Sequence, residues 1–289
     1  NKLLKFAGKK FEKTYLVSTG SEATEAALKL MRMNGQKIKK RKLGIISFEG
    51  NWHGRTMGAQ MMSGNLEQKK WIGYEDKNIH HLKFPYPWDC EEKDAEEFFN
   101  KNIHKIIKNK NINPKKDICG CIVETFQGWG ALFYPKKYIQ TLERFCKKNN
   151  IVLTFDEMQS GFARTGKAFG YEHYGVEPDL ICCGKGMGGG LTLAGVIGKK
   201  YLMDLPDVGS MSSTHSANPL VCVAGITVLD EIKNKKLIRE AKRKGKFLIN
   251  KLNEIKKKYK ERVSYVSGKG LIAAIMFRDA RGNPDPALA

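Results

Sequence analysis

The chain has no run of eighteen or more apolar residues, so no transmembrane helix is expected. Its opening, NKLLKFAGKKFEK, holds no apolar core ahead of a small-residue cleavage site and is not read as a signal peptide. It also lacks an initiator Met, and with the abrupt end at NPDPALA this suggests a piece of a longer protein. None of the seven cysteines forms a C-x-x-C pair, and no zinc-finger spacing occurs, so no metal set is read. Cys119, Cys121, Cys182 and Cys183 sit in apolar runs, where a free thiol behaves as a small hydrophobe. An odd count without a disulfide framework suits a reducing cytoplasm. Internal repeats and low-complexity linkers are missing too. Acidic residues are the scarce charge: 30 Asp and Glu stand against 51 Lys and Arg, a net charge of +21. Such an excess raises the question of an acidic partner such as nucleic acid. The basic runs, however, are dispersed (KIKKRK at 37–42, KNKNINPKK at 108–116, KNKK at 233–236, KRKGK at 242–246, KKKYK at 256–260). No RNA-binding aromatic signature accompanies them. Solvated lysine faces account for the charge, and neither a nucleic-acid nor a membrane partner is expected.

What is present is an alternation of short apolar strands and longer amphipathic helices across 289 residues, 41% of them hydrophobic. Strands are expected at 14–19, 43–48, 117–124, 150–156, 179–184 and 193–198, and helices at 21–34, 94–110, 135–150, 218–236 and 237–259. Near-continuous apolar strands between helices argue for an α/β fold, three layers deep, with a mostly parallel sheet covered on both faces. A boundary is expected after about Lys236. Residues 1–236 would form a large domain, and 237–289 a linking helix and the beginning of a small C-terminal α/β domain, opening at VSYVSGKGLIAAIMF (263–277).

The stretch 151–190, IVLTFDEMQSGFARTGKAFGYEHYGVEPDLICCGKGMGGG, carries the strongest chemical signal. Asp156 ends one apolar run, and Lys185, between Gly184 and Gly186, follows the next. A buried acid needs a partner, and a protonated ring nitrogen would be one. The amine would bond to an aldehyde, for which it must be desolvated or held near positive charge. The plainer alternatives are a turn cap for Asp156 and a solvated loop lysine for Lys185.

Other segments are weaker alone. STGSEATEAALKL (18–30) places Gly20 and Ser21 at a helix start, either a phosphate site or a capped helix with Glu22 and Glu25 in its first turn. GNWHGRT (50–56) offers Trp52 as an aromatic plate, His53 beside it, and Arg55 as a fork for a carboxylate or phosphate, or else a surface loop. Glu124 ends a strand before Gln127 and two glycines in ETFQGWGA (124–131), pointing to a crevice or merely turning the chain. The hydroxyls of Ser212, Ser213 and Thr214 precede a helix start at Asn218-Pro219, as phosphate ligands or as a serine-rich cap.

Taken in order, STGSEA, NWHGRT, ETFQGWG, FDEMQSGFARTG, GKGMGGG and STHSANP resemble the blocks of the class III, omega-type, pyridoxal-phosphate (PLP)-dependent aminotransferases of fold type I. The resemblance runs from about Thr14 to Phe277. It implies PLP as cofactor and transamination between an amine or ω-amino acid donor and a keto-acid acceptor. Racemisation, aminomutase shifts and decarboxylating transamination are the alternatives on the same fold, and a basic nucleic-acid-binding module is the distant one. It further implies that Lys185 is the Schiff-base lysine, Asp156 the partner of the pyridine nitrogen, and Gly20 and Ser21 the phosphate ligands. Trp52 takes the stacking position with His53 beside it, Met158 lies on the ring's other face, and Gln159 approaches the phenolic oxygen. Glu124 lines the pocket, Arg55 matches a position that in some members binds a substrate carboxylate, and Thr214 matches a threonine reaching the neighbouring subunit's phosphate, implying a homodimer. Trp129 departs from the pattern. It stands where several members carry a glutamate that gates alternative substrates, which favours a bulkier or less polar donor pocket. Family members also extend beyond both ends of this sequence, into segments that supply further pocket residues.

Overall fold

The computed structural model describes residues 1–279 and 284–285. In chain order the regular elements are α1 (Lys2–Ala7), β1 (Lys13–Val17), α2 (Gly20–Ile38), β2 (Gly44–Phe48), α3 (Met57–Met62), β3 (Ile79–Leu82), α4 (Ala95–Lys110), α5 (Pro114–Asp117) and β4 (Ile118–Glu124). There follow β5 (Phe126–Gln127), β6 (Leu132–Phe133), α6 (Lys136–Asn149), β7 (Val152–Asp156), β8 (Leu180–Cys183), β9 (Ala194–Gly198), α7 (Lys200–Met203), α8 (Pro219–Asn234) and α9 (Leu237–Lys258). The hairpin β10 (Val263–Lys269) and β11 (Ile272–Arg278) closes the described chain with the short β12 (Pro284–Asp285).

Seven strands form one sheet in the order β1-β9-β8-β7-β4-β2-β3. Neighbours from β8 to β3 are parallel, and β9 runs antiparallel to both β8 and β1. Only β9 is therefore reversed, and the carboxyl ends of the other six strands share one edge. Side-chain alternation sorts the buried residues by face. Ile45, Ile122, Val152, Cys182 and Val196 meet Ala23, Ala27, Leu30 and Met31 of α2 on one side. Ile46, Val123, Leu153 and Phe155 meet Phe99 of α4 and Tyr138 and Leu142 of α6 on the other. That second side continues as Ile181, Cys183 and Ile197 against Leu229 and Ile232 of α8. The expected three-layer α/β architecture is the observed one.

Some boundaries move, each for a physical reason. The expected strand at 14–19 ends at Val17, because Thr19 leaves the sheet to cap α2. The expected helix at 21–34 begins at Gly20 and continues to Ile38. β3, an edge strand of four residues, has too little periodicity to register in the sequence. Between α8 and α9 the chain turns at Lys236, which is left-handed at φ 51°. The β10–β11 hairpin lies against the preceding chain. Ser267 Oγ donates to the Ala131 carbonyl at 2.5 Å, Leu271 N–H donates to Arg164 at 2.8 Å, and Met276 is buried in the core.

Candidate active site

Five of the parallel-edge turns converge on a cavity of about 220 Å³. Gly20 and Ser21 follow β1, Trp52 and His53 follow β2, and Glu124 ends β4. Asp156 ends β7, with Met158 and Gln159 in its turn, and Lys185 follows β8. The carboxyl edge of an open α/β sheet is where such a crevice forms. A larger hollow of about 970 Å³ lies between α1, the Gly166–Ala168 turn and the α8–α9 junction. Its lining is aliphatic and basic, and its one carboxylate, Asp230, is paired with Lys2 at 2.6 Å. That pair is an exposed surface ion pair, whereas the small cavity gathers the buried acids Asp156 and Glu124 beside Lys185.

The start of α2 corrects the reading of Ser21 as a cap. Thr19 caps the helix: its Oγ1 accepts from Glu22 N–H at 3.2 Å, while Glu22 Oε2 accepts from the N–H groups of Thr19 at 2.7 Å and Ser18 at 2.8 Å. This capping box was legible as T-x-x-E, and Thr19 was missed as a residue lining the cavity. Ser21 is thereby released. Its Oγ accepts only the Arg55 N–H, at 3.2 Å; the Glu22 and Ala23 N–H groups are taken by Thr19, which leaves those of Gly20 and Ser21 at the helix start. A nineteen-residue helix directs its positive end at the cavity.

The turn after β2 is pinned to that helix. Thr24 Oγ1 donates to the His53 carbonyl at 2.7 Å. Glu25 Oε1 accepts from Thr56 Oγ1 at 2.7 Å and from Gly58 N–H at 2.8 Å. Gly54, also missed, sits at φ 131°, and a Cβ there would fall 2.4 Å from Ser21 Oγ. Trp52 N–H donates to Glu124 Oε2 at 2.9 Å. Arg55 does not enter the cavity. It is exposed, with its guanidinium 4.6 Å from the centre of the Trp52 ring.

Three charged or polar side chains define the floor. Asp156 Oδ2 accepts the Nδ1–H of His53 at 2.8 Å, and both side chains are out of solvent. The carboxylate can only accept, so Nδ1 carries the proton. Asp156 Oδ1 takes the Met158 N–H at 3.1 Å. Glu124 is the register partner of Asp156 on the adjacent strand. Burial and then the neighbouring Asp156 charge push its carboxyl well above the usual range, against the pull of the Trp52 N–H and Lys185.

Lys185 opens a short 3₁₀ turn at φ 30°, a strained value for a residue with a side chain. Lys185 lines the cavity and is exposed in this chain. The backbone approaches closely beside it: a Cβ on Gly184 would stand 2.8 Å from Met158 Sδ, and one on Gly20 would stand 3.0 Å from the same atom, so Met158 would have to shift.

Residues 1–287 match the family described as aminotransferase class-III. The chain belongs to the class-III aminotransferases. It is 34% identical over 282 residues to the 4-aminobutyrate aminotransferase of Escherichia coli (strain K12), covering 96% of this chain and 63% of that protein. It is 31% identical over 279 residues to an alanine/serine racemase of Pyrococcus horikoshii, covering 93% and 57%. An amine transaminase from an uncultivated Pseudomonas species, solved in the PLP-bound form, superposes with a TM-score of 0.85 at 28% identity, covering 99% of this chain and 67% of that one. The chain spans less than two thirds of the length of the curated relatives it matches.

Two further expected residues of this class-III chain lie outside the cavity. Trp129 is 52% exposed, and its Nε1–H donates to Gln127 Oε1 at 2.9 Å. Its ring is 6.1 Å from Tyr86, which stacks on Trp88 at 4.8 Å and 4°. Gly128 links this aromatic group to the site, since a Cβ there would stand 2.9 Å from Gln159 Oε1. Thr214 is exposed and does not line the cavity of its own chain, whereas its neighbour Ser213 donates to Glu22 Oε1 at 3.2 Å. All seven cysteines are free, and among the described residues no helix is long and apolar enough to cross a membrane.

Proposed function

We propose that this chain carries the cofactor-binding part of a PLP-dependent aminotransferase acting between an amine or ω-amino acid donor and a keto-acid acceptor. The observation that carries the reading is the convergence of a buried acid, a lysine and a helix amino-terminus on one cavity. The residues fit the group. Asp156 keeps lone pairs beyond those used by His53 and Met158, enough for a ring N–H. The cradle at Gly20, Gly54 and Gly184 is one that a Cβ would fill. Bound PLP would supply an aldehyde for an amine and a ring that withdraws electrons from the substrate Cα.

In this reading Lys185 holds the aldehyde carbon and, once released, moves the proton at the substrate Cα. Asp156 accepts the ring N–H, oriented by His53. The first N–H groups of α2 and Ser21 Oγ bind the phosphate. Trp52 and Met158 flank the ring, Gln159 approaches its phenolic oxygen, and Glu124 faces the substrate. Arg55 and Trp129 border the donor's side. Thr214 of the partner subunit completes the phosphate site in a homodimer, a role its exposure leaves open to it. Residues 1–236 form the cofactor domain, and 237–289 begin the smaller one. The unpaired cysteines, most of them buried, support a reducing, cytoplasmic setting.

Lys185→Ala tests the assignment. The variant is expected to lose the near-visible absorbance band that PLP gives with the wild-type chain, and to lose turnover. Retention of both would refute it. A second reading, racemisation, is favoured by the likeness to the alanine/serine racemase. It needs no acceptor, so turnover of an amino acid without any keto acid would select it.

A further inference from the structure

Glu157 stands between two residues of the cavity, Asp156 and Met158, yet lines none of it and is fully buried. Its carboxylate has no cation partner among the described ion pairs. Four donors hold it instead. Oε1 accepts from Thr125 Oγ1 and from Tyr171 N–H, each at 2.6 Å, and Oε2 accepts from Ser160 Oγ at 2.6 Å and Gly170 N–H at 2.7 Å. Burial pushes its carboxyl up to about 7 while those donors pull it down. Burying a carboxyl group is costly, and four hydrogen bonds offset part of that cost.

The arrangement has a direction. The β4–β7 ladder ends at the pair Glu124 and Asp156. Thr125 and Glu157 are the first residues past the two strand ends, and their side-chain hydrogen bond of 2.6 Å ties those ends together once more. Neither Thr125 nor Glu157 lines the cavity. Glu157 N–H also donates to the Cys182 carbonyl at 2.8 Å, which ties in the strand that leads to Lys185. Thr125 is held a second time, its carbonyl accepting from Tyr174 Oη at 2.5 Å. The clamp has no slack: a Cβ on Gly170 would stand 2.6 Å from Thr125 Cγ2 and 2.8 Å from Ser160 Cβ.

We propose that Glu157 is a positioning residue, whose bond to Thr125 sets the spacing of Glu124 and Asp156 and so the charge the cavity presents. Coulombic coupling between neighbouring carboxylates depends on their separation, so a loosened tie changes how tightly Glu124 holds its proton. The other groups acting on Glu124 are the Trp52 N–H, from the turn after β2, and Lys185, from the turn after β8. The proposal deepens the cofactor reading, but its first readout needs no cofactor.

The test compares Thr125→Val with Ser160→Ala in the full chain. Each removes one donor to Glu157, but only the first cuts the bond between strands. The Glu124 carboxyl is followed by carbon-13 NMR with labelled glutamate, against Glu124→Gln for assignment. Thr125→Val is expected to move its midpoint by about half a unit or more, and Ser160→Ala to leave it in place. PLP added to the same proteins is expected to bind Thr125→Val about tenfold more weakly than wild type, with Ser160→Ala unchanged. Melting temperatures separate this from general loosening. Equal effects of the two variants on the Glu124 midpoint, or no effect of either, would overturn the proposal. Failure of wild type to bind PLP would instead sink the cofactor reading, leaving the NMR comparison to decide the role of Glu157.

Discussion

His53 Nδ1 and Asp156 Oδ2 are 2.8 Å apart, and neither side chain reaches solvent. The pair joins the turn after β2 to the end of β7, so the acid's orientation depends on a residue more than a hundred positions away. His53 Nε2 is buried and has no hydrogen-bond partner among the described residues, so the imidazole's one hydrogen bond is to Asp156.

Replacing His53 with Ala is therefore expected to leave Asp156 with one donor, the Met158 N–H, at a cost of about 1–3 kcal/mol. His53→Gln, which offers a donor on a different stem, is expected to recover part of that loss. Urea unfolding of the two variants checks the order. PLP affinity should follow it if Asp156 holds the ring nitrogen. Equal stability of wild type and His53→Ala would mean that the contact does not hold the acid.

Glu157 gives a pH dependence with a definite sign. Its folded carboxyl lies at about 7, above the ordinary 4.5. Between those values the unfolded chain has released its proton and the folded chain retains it. The contribution is thus fully present below about 4.5 and is lost as pH rises through about 7, with a ceiling of about 3 kcal/mol. Glu124 shifts in the same direction and adds to the slope. Unfolding free energies at pH 5 and pH 8 are expected to differ less in Glu157→Gln than in wild type. An unchanged difference would rule out Glu157 as a source.

Much of this site was legible because its parts come from strand ends. A strand that is largely apolar and then stops on an acid, as β4 does at Glu124 and β7 at Asp156, announces both a sheet and its functional edge. The glycines around Lys185 announced close backbone approach. What sequence could not give was pairing across the fold. His53 read as a polar neighbour of Trp52, and only the β2–β4–β7 order brings it to Asp156. Glu157 is identical in type to any solvated glutamate until its four donors, drawn from three segments, are in place. Lys42 is the plainest case. It belongs to the run KIKKRK, read as a solvated basic face, and it is fully buried.

That lysine supports a prediction about stability alone. Lys42 Nζ donates to the carbonyls of Lys115 and Asn149, each at 3.1 Å, and of Asn150 at 2.8 Å. These lie in α5 and at the end of α6, where helix carbonyls have no helix partner. Lys42→Met keeps the stem and deletes the donors, and is expected to cost about 2–3 kcal/mol. Lys39→Met, on an exposed neighbour, is the control and should cost little. PLP affinity per folded molecule should stay the same in both, because neither residue approaches the cavity. Loss of affinity without loss of stability in Lys42→Met would contradict this placement.

Trp129 concerns the choice of donor. With Tyr86 and Trp88 it forms a group of three rings, two of them about half exposed, one residue from the Gly128 that abuts Gln159. Rings of this kind favour flat apolar groups, by amounts that correspond to about tenfold in binding. An aromatic amine should therefore show a lower KM than 4-aminobutyrate, and Trp129→Ala should raise the KM for the aromatic donor about tenfold. The kcat for either donor should change little, because Trp129 lies outside the cavity that Lys185 lines. The indole also donates to Gln127, whose amide in turn donates to the Glu49 carbonyl at 2.5 Å and to Asn51 Oδ1 at 3.1 Å, beside Trp52. Trp129→Phe keeps a ring and loses that donor, so it separates the two contributions. If the ring selects the donor, Trp129→Phe retains the preference. If the effect runs through Gln127 to the Trp52 turn, Trp129→Phe behaves like Trp129→Ala, and kcat falls together with affinity. Identical KM values for both donors in wild type and Trp129→Ala would remove Trp129 from donor selection altogether.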